Sequence, residues 1–218
     1  MIENHSHIDE SAIVRPWVEL GHSCIVGEFC VIGRRATPTI AMVRDLPEDF
    51  GKTCIGPRCS FSAGAVIYTR VSIGSDCLFG DHASVFYDVN IGDRVLLSRN
   101  VTINSSVEIG DDTRIMDNTH ITGRSKIGRA VFFSVGVTSV NDNNFGKQGF
   151  SDAVTGTTIG DFASIGPGVV LMPGCIVGPG SIIAGSSVVK GYIPENVIAA
   201  GNPAKVICRV PKHLSRMV

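Results

Sequence analysis

Three soft ligands crowd one short stretch: in LGHSCIVGEFCVIG, His22, Cys24 and Cys30 fall within nine positions. Imidazole nitrogen and thiolate sulfur are the usual zinc ligands, so metal binding is the first chemistry to test. The chain has six histidines, and imidazole is the side chain whose charge changes nearest neutral pH, which makes each a candidate proton acceptor. Two further segments are dense in hydrogen-bonding groups, DNTHI at 117–121 and SVNDNN at 139–144. Whether any of these groups converge depends on the elements that carry them.

Those elements repeat every six residues. Bulky apolar side chains fall at Ile8, Val14, Leu20, Val26 and Ile32, then at every sixth position from Ile55 to Phe133, then from Ile159 to Val189. Four places after each stands a small residue, as at Ala12, Cys24, Cys30, Cys59, Ala65, Cys77, Thr113, Thr119, Val137 and Cys175. Glycine often directly follows the bulky position, as at Gly21, Gly27, Gly74, Gly92 and Gly110. A helix does not repeat at six, and this content of glycine and β-branched residues disfavours one. The small residue and the next bulky one are two apart, so on a strand they share a face. Each hexad therefore reads as a short strand with one small and one large inward side chain, closed by a turn. Three strands make a coil, and each strand pairs with the one 18 residues later. The sequence predicts an all-β chain of about eight such coils stacked about 4.8 Å apart. On this grid five of the seven cysteines fill small inward slots, and His22 lies at a turn, so no metal site is expected.

Composition narrows the function classes. With 19 basic and 20 acidic residues the formal net charge is −1, which offers neither nucleic acid nor an anionic membrane an electrostatic footprint. No apolar run approaches the roughly 18 residues that cross a bilayer, and the polar start MIENHSHIDE has no apolar signal segment, so a cytoplasmic location is expected. The grid breaks at 34–54 and at 139–158, two polar excursions rich in Gly or Pro, which are natural places for a site on a stiff scaffold. It breaks again near the end. The β-helix is read as 1–207, with 208–218 as a tail forming a short helix after Pro211 that caps the open end.

The register resembles the hexapeptide-repeat proteins, whose fold is a left-handed parallel β-helix. The handedness is implied by that resemblance alone. The run TTIGDFASIGPGVVLMPGCIVGPGSIIAGSSVV, followed by IPENVIAAGNPAKVI, resembles the C-terminal signature of the acyltransferases of this family that use acetyl-CoA. The resemblance implies a homotrimer with CoA along the outside of the coils. By position it makes Gly166, Ala184 and Gly185 the small residues that let the pantetheine arm approach the backbone, and Lys190 and Lys205 the partners of the phosphates. The segment Ile115 to Gly146 is similar to nucleotide-sugar N-acetyltransferases. Many acetyltransferases of the wider family place a catalytic histidine at the start of the second excursion, where this chain has Asn141.

Another base is therefore needed. His5 and His7 lie in the start of the chain, His22 is far from the CoA end and His213 is in the tail. Of the remaining two, His82 falls at a turn in an 18-residue column with Asn100 and Asn118, while His120 follows inward Thr119 and points outward near the second excursion. His120 is the predicted general base, Asp142 a binder of the amine, and Asn118 and Asn141 the groups that orient the sugar or the thioester carbonyl. A zinc site shared between subunits would need a third histidine beside His82 and His120, and none joins them. The expected activity is acetyl transfer from acetyl-CoA to an amino group of a nucleotide-linked sugar, with no metal required. Transfer to a hydroxyl and a non-catalytic scaffold are the two alternatives.

Overall fold

The computed structural model describes residues 6–38, 46, 48–144, 147 and 154–214. Nearly every element in it is a strand of two or three residues, and successive strands belong in rotation to three different sheets. The result is a parallel β-solenoid with three walls. The first wall runs from His7–Ile8 through Ile25–Val26, Ser60–Phe61 and Arg114–Ile115 to Val197–Gly201. The second includes Val31–Arg34, Val66–Tyr68, Ser84–Val85, Thr102–Ile103, His120–Ile121, Thr138–Ser139 and Val170–Leu171, and the third includes Thr53–Ile55, Val89–Ile91, Lys126–Ile127 and Thr158–Ile159. Neighbours in a wall pair 18 residues apart, as Leu78 with Leu96 and Thr102 with His120. Across the excursions the register resumes, with Ile25 opposite Ser60 and Lys126 opposite Thr158.

The alternation of large and small side chains fills the interior. Phe61, Phe79, Phe133, Ile67, Leu97 and Ile121 are fully buried, and Phe61 stacks on Phe79 with ring centroids 4.7 Å apart. The small slot takes Ala, Val, Cys, Ser or Thr, and its polar members find a carbonyl. Thr113 donates to Gly128 at 2.8 Å, Ser181 to Pro194 at 2.6 Å, and the thiols of Cys59 and Cys77 to Gly74 and Gly92 at 3.1 and 3.2 Å. That shared partner explains why these residue types interchange: each is compact, and none leaves a buried donor unsatisfied. Burial also raises the Cys24, Cys30 and Cys175 thiols above their ordinary pKa, which suits a filler rather than a thiolate ligand.

The ends of the irregular segments differ from the sequence reading. Thr53 and Cys54 already pair in the third wall, Ser139 ends a strand of the second wall and Thr158 begins one of the third. The grid missed Ser139 because it holds a bulky slot with a small polar side chain. Much of the second excursion, like part of the first, lies outside the described residues. The C-terminal segment begins as an antiparallel strand, Ala204–Arg209, laid on Val197–Gly201, followed by a single 3-10 turn at Lys212–Leu214. The predicted cap of the open end is thus a strand on the first wall, because an unpaired strand edge is satisfied by backbone rather than by a helix. The rest of the predicted tail helix, 215–218, lies outside the described residues. The solenoid also has more coils than the predicted eight, with ten parallel strands before that last one in the first wall. No helix among the described residues is long and apolar enough to cross a membrane.

Candidate active site

His120 stands outward on the second wall, between Thr102 one coil below and Thr138 one coil above. Its ring is half-buried, and its Nδ1 lies 2.7 Å from the Thr102 hydroxyl. Loss of water around the ring disfavours the imidazolium, so its pKa falls below the ordinary 6.5 and the neutral form prevails at neutral pH. The backbone behind it is fixed from the interior. Buried Ser139 accepts the Thr122 N–H at 2.7 Å and donates to the His120 carbonyl at 3.2 Å. That hydroxyl belongs to a buried chain, with Ser125 donating to the Thr122 carbonyl at 2.8 Å and accepting from the Thr157 N–H at 3.2 Å. Hydroxyls thereby take up the backbone groups around the coil that the second excursion interrupts.

A cleft of about 570 Å³ opens beside His120, lined by Asn104, Thr122, Thr138, Val140, Asn141, Asp142 and Met172 among others. Asn141 is held by its amide, which donates to the Gly123 carbonyl at 3.4 Å, and the Asp142 carboxylate accepts the Asn144 N–H at 2.7 Å. A smaller cleft of about 340 Å³, bounded by Asn143, Asn144, Thr155, Pro173 and Gly174, shares Asn141 and Asp142 with it. The site thus has a neutral, oriented imidazole, amide donors and a carboxylate on one wall. That set can take a proton from a nucleophile, stabilise a developing oxyanion and hold an ammonium group. Among the described residues no three His, Cys, Asp or Glu side chains converge as a metal would require.

Residues 156–191 match the family described as "Bacterial transferase hexapeptide (six repeats)". Over those residues the chain carries the hexapeptide repeat that this family model describes. Among curated proteins no sequence matches it significantly. Solved structures similar to it include a UDP-N-acetylglucosamine O-acyltransferase from Moraxella catarrhalis, at 21% identity over 96% of this chain and 77% of that one, with a TM-score of 0.73. UDP-N-acetylglucosamine acyltransferases from Arabidopsis and Campylobacter jejuni are 17% and 21% identical, with TM-scores of 0.63 and 0.61. Each of these covers 93% of this chain and 74% of its own. At these identities the likeness is one of fold.

In this hexapeptide-repeat protein the predicted site residues divide between two edges of the second wall. His120, Asn141 and Asp142 come together in the cleft at its edge with the third wall. Lys190, exposed, is one coil beyond Met172 on that edge, since the Met172 N–H bonds the carbonyl of Val189. Gly166, Ala184 and Gly185 lie on the opposite edge, at the turn from the first wall. A Cβ on Gly166 would come within 2.6 Å of the Gly185 nitrogen, so coil stacking by itself already requires glycine there. Lys205 is exposed on the C-terminal antiparallel strand, opposite Ala200. Neither lysine forms an ion pair among the described residues.

Asn118 also occupies the edge between the first and second walls, outside the cleft lining. It has φ +58°, as do His82 at +58° and Asn100 at +56°, and its side-chain oxygen accepts the Asn100 amide at 3.2 Å. The predicted polar column is real, and left-handed turn geometry, which Asn tolerates better than most residues, accounts for it. Sequence reasoning missed Thr102, Asn104, Thr138 and Ser139. Three carried a signal: Thr102 and Thr138 are one coil from His120, and Asn104 is one coil from Thr122.

Proposed function

We propose that the protein is an acyltransferase that moves an acetyl group from acetyl-CoA to an amino group of a sugar, with His120 as general base. The observation that carries the reading is the half-buried imidazole, oriented by Thr102 and opening on a cleft with Asn141 and Asp142. Asp142 draws the acceptor's ammonium into the cleft. The ammonium gives up one proton to water, and the lone pair of the free amine nitrogen then attacks the thioester carbonyl carbon. His120 Nε2 takes a proton from that nitrogen as the C–N bond forms, and the Asn141 amide donates to the oxyanion. Collapse breaks the C–S bond, and the imidazolium returns the proton to the leaving thiolate. In the trimer the donor lies in the groove between subunits, along the Gly166, Ala184 and Gly185 edge of one and the His120 cleft of its neighbour, with Lys190 and Lys205 toward its phosphates. Asn118, on the glycine edge, faces the thioester end of the donor across that intersubunit groove and orients it. A cytoplasmic homotrimer, with no nucleic-acid or membrane partner, is the form in which it acts.

A second reading, transfer to a sugar hydroxyl, is favoured by one observation. An imidazole held neutral and oriented by a hydroxyl partner is competent to deprotonate an alcohol, which needs more help from a base than an amine does. One of the solved proteins of similar fold, from Moraxella catarrhalis, is named an O-acyltransferase. Incubation with acetyl-CoA and a panel of amino sugars, their nucleotide conjugates and their N-acetylated forms decides between the two. Mass analysis of the product should find acetyl on nitrogen. Acetylation only of acceptors whose nitrogen is already blocked would establish the second reading, and no thioester consumption with any acceptor would refute both.

A further inference from the structure

The cleft beside His120 is lined as far as Asn104, and the column of side chains it follows continues beyond that residue. Asn104, Thr122, Val140 and Met172 each directly follow the inward residue of a second-wall strand, so they form one column along the edge with the third wall, about 4.8 Å per step. The next two steps toward the N-terminal end, after Val85 and Ile67, are Phe86 and Tyr68. Their rings meet edge to face with centroids 4.6 Å apart, and Tyr87 leans on Phe86 at 4.4 Å. A register shift after Ile32 sets Arg34 opposite Tyr68, and its guanidinium lies over that ring, 5.4 Å from the centroid. All three rings are half-buried on the outside of the solenoid, and Arg34 is exposed. Two of the chain's three tyrosines are gathered here, beside a cleft whose lining has no Phe, Tyr or Trp of its own. The neighbouring Arg70 is paired with Asp88, whereas no carboxylate among the described residues pairs with Arg34.

We infer that this edge is a subsite for the nucleobase of a nucleotide-linked acceptor whose sugar lies at His120. Bases stack on aromatic faces and on guanidinium planes with little regard to their identity. Phe86 is two coils from the coil of His120, about 10 Å, a gap that a diphosphate and ribose bridge. Asn104, the step between, offers its amide to that linker. The inference rests on the acyl transfer proposed at His120, and its test keeps the two apart.

The test is calorimetric titration of the full chain with UDP, dTDP, GDP and ADP, and with free glucosamine, for the wild type, Phe86→Ala, Arg34→Ala and His120→Ala. Circular dichroism confirms the fold of each variant. At least one nucleoside diphosphate should bind the wild type and His120→Ala alike, and weaken about tenfold or more in Phe86→Ala, in line with loss of a stacked base. Arg34→Ala, an exposed position, should weaken it in the same direction and serves if Phe86→Ala does not fold. Nucleotide binding that depends on these side chains, without thioester consumption, would support the subsite while removing the catalytic reading. Acetylation of plain amino sugars by a protein that binds no nucleoside diphosphate would overturn the subsite alone. Equal nucleotide binding by wild type, Phe86→Ala and Arg34→Ala would overturn it too.

Discussion

Thr102→Val isolates the contact that orients the base. Valine keeps the β-branched shape of an outward strand residue and removes only the hydroxyl. For Nε2 to accept the acceptor's proton, Nδ1 must carry a hydrogen and donate it to Thr102 Oγ1 across the observed 2.7 Å. A hydrogen bond of this kind is worth about 1 kcal/mol net, up to about 1.5, which at room temperature is about five- to tenfold in the population of the productive tautomer and rotamer. The rate constant kcat should fall by that factor, while removal of the base itself should cost about 10²-fold or more. Stability should stay within about 0.5 kcal/mol of wild type, because the position is exposed. Loss of thioester absorbance is the appropriate assay, since Cys54 and Cys208 are exposed and would consume a thiol reagent. A variant with wild-type kcat would refute the orienting role, and a loss equal to that of His120→Ala would show that the hydroxyl does more than orient.

The other substitutions probe the frame. Ser139→Ala leaves the buried Thr122 N–H without its partner and should cost about 1–3 kcal/mol in urea unfolding, with a fall in kcat as the His120 carbonyl loses its donor. An unchanged unfolding midpoint would contradict that network. Gly110→Ala would bring a Cβ to 2.6 Å from the Arg129 nitrogen in the next coil, so about 1–3 kcal/mol of destabilisation should be measured, and a neutral substitution would show that the coils stack less closely. Thiol titration of the native protein should find Cys54 and Cys208 reactive and the other five cysteines only after unfolding. Rapid reaction of Cys24, Cys30, Cys59 or Cys77 would place them outside the core.

The period of six carried most of the fold, because in a solenoid each residue's environment repeats and inward slots are visible as columns. His120, Asn141 and Asp142 were legible as neighbours for the same reason: one lies on an outward strand position and two at the start of the excursion one coil above. Ser139 was hidden because it breaks the rule that made the grid detectable. Thr102 was hidden because an outward threonine on a strand looks like any solvated residue until it is set one coil below a histidine. Asn118 drew attention for a chemical reason, and the structure adds a second reason for an asparagine there, since φ near +58° recurs along its column. The segment after Pro203 left the grid, which concealed that it pairs antiparallel on the last strand of the first wall.

The pH dependence of kcat/KM for thioester consumption, compared between wild type and His120→Ala, tests the assignment of the base most directly. Desolvation holds His120 below the ordinary 6.5, so protonation of the base should quench activity only as pH falls through that lowered value. Beyond the limb set by the acceptor's own ammonium, the wild type should therefore show an acid limb below pH 6.5, and it should lose both that limb and about 10²-fold of its rate in His120→Ala. A variant that keeps near-wild-type kcat/KM with the same acid limb would remove His120 as the base.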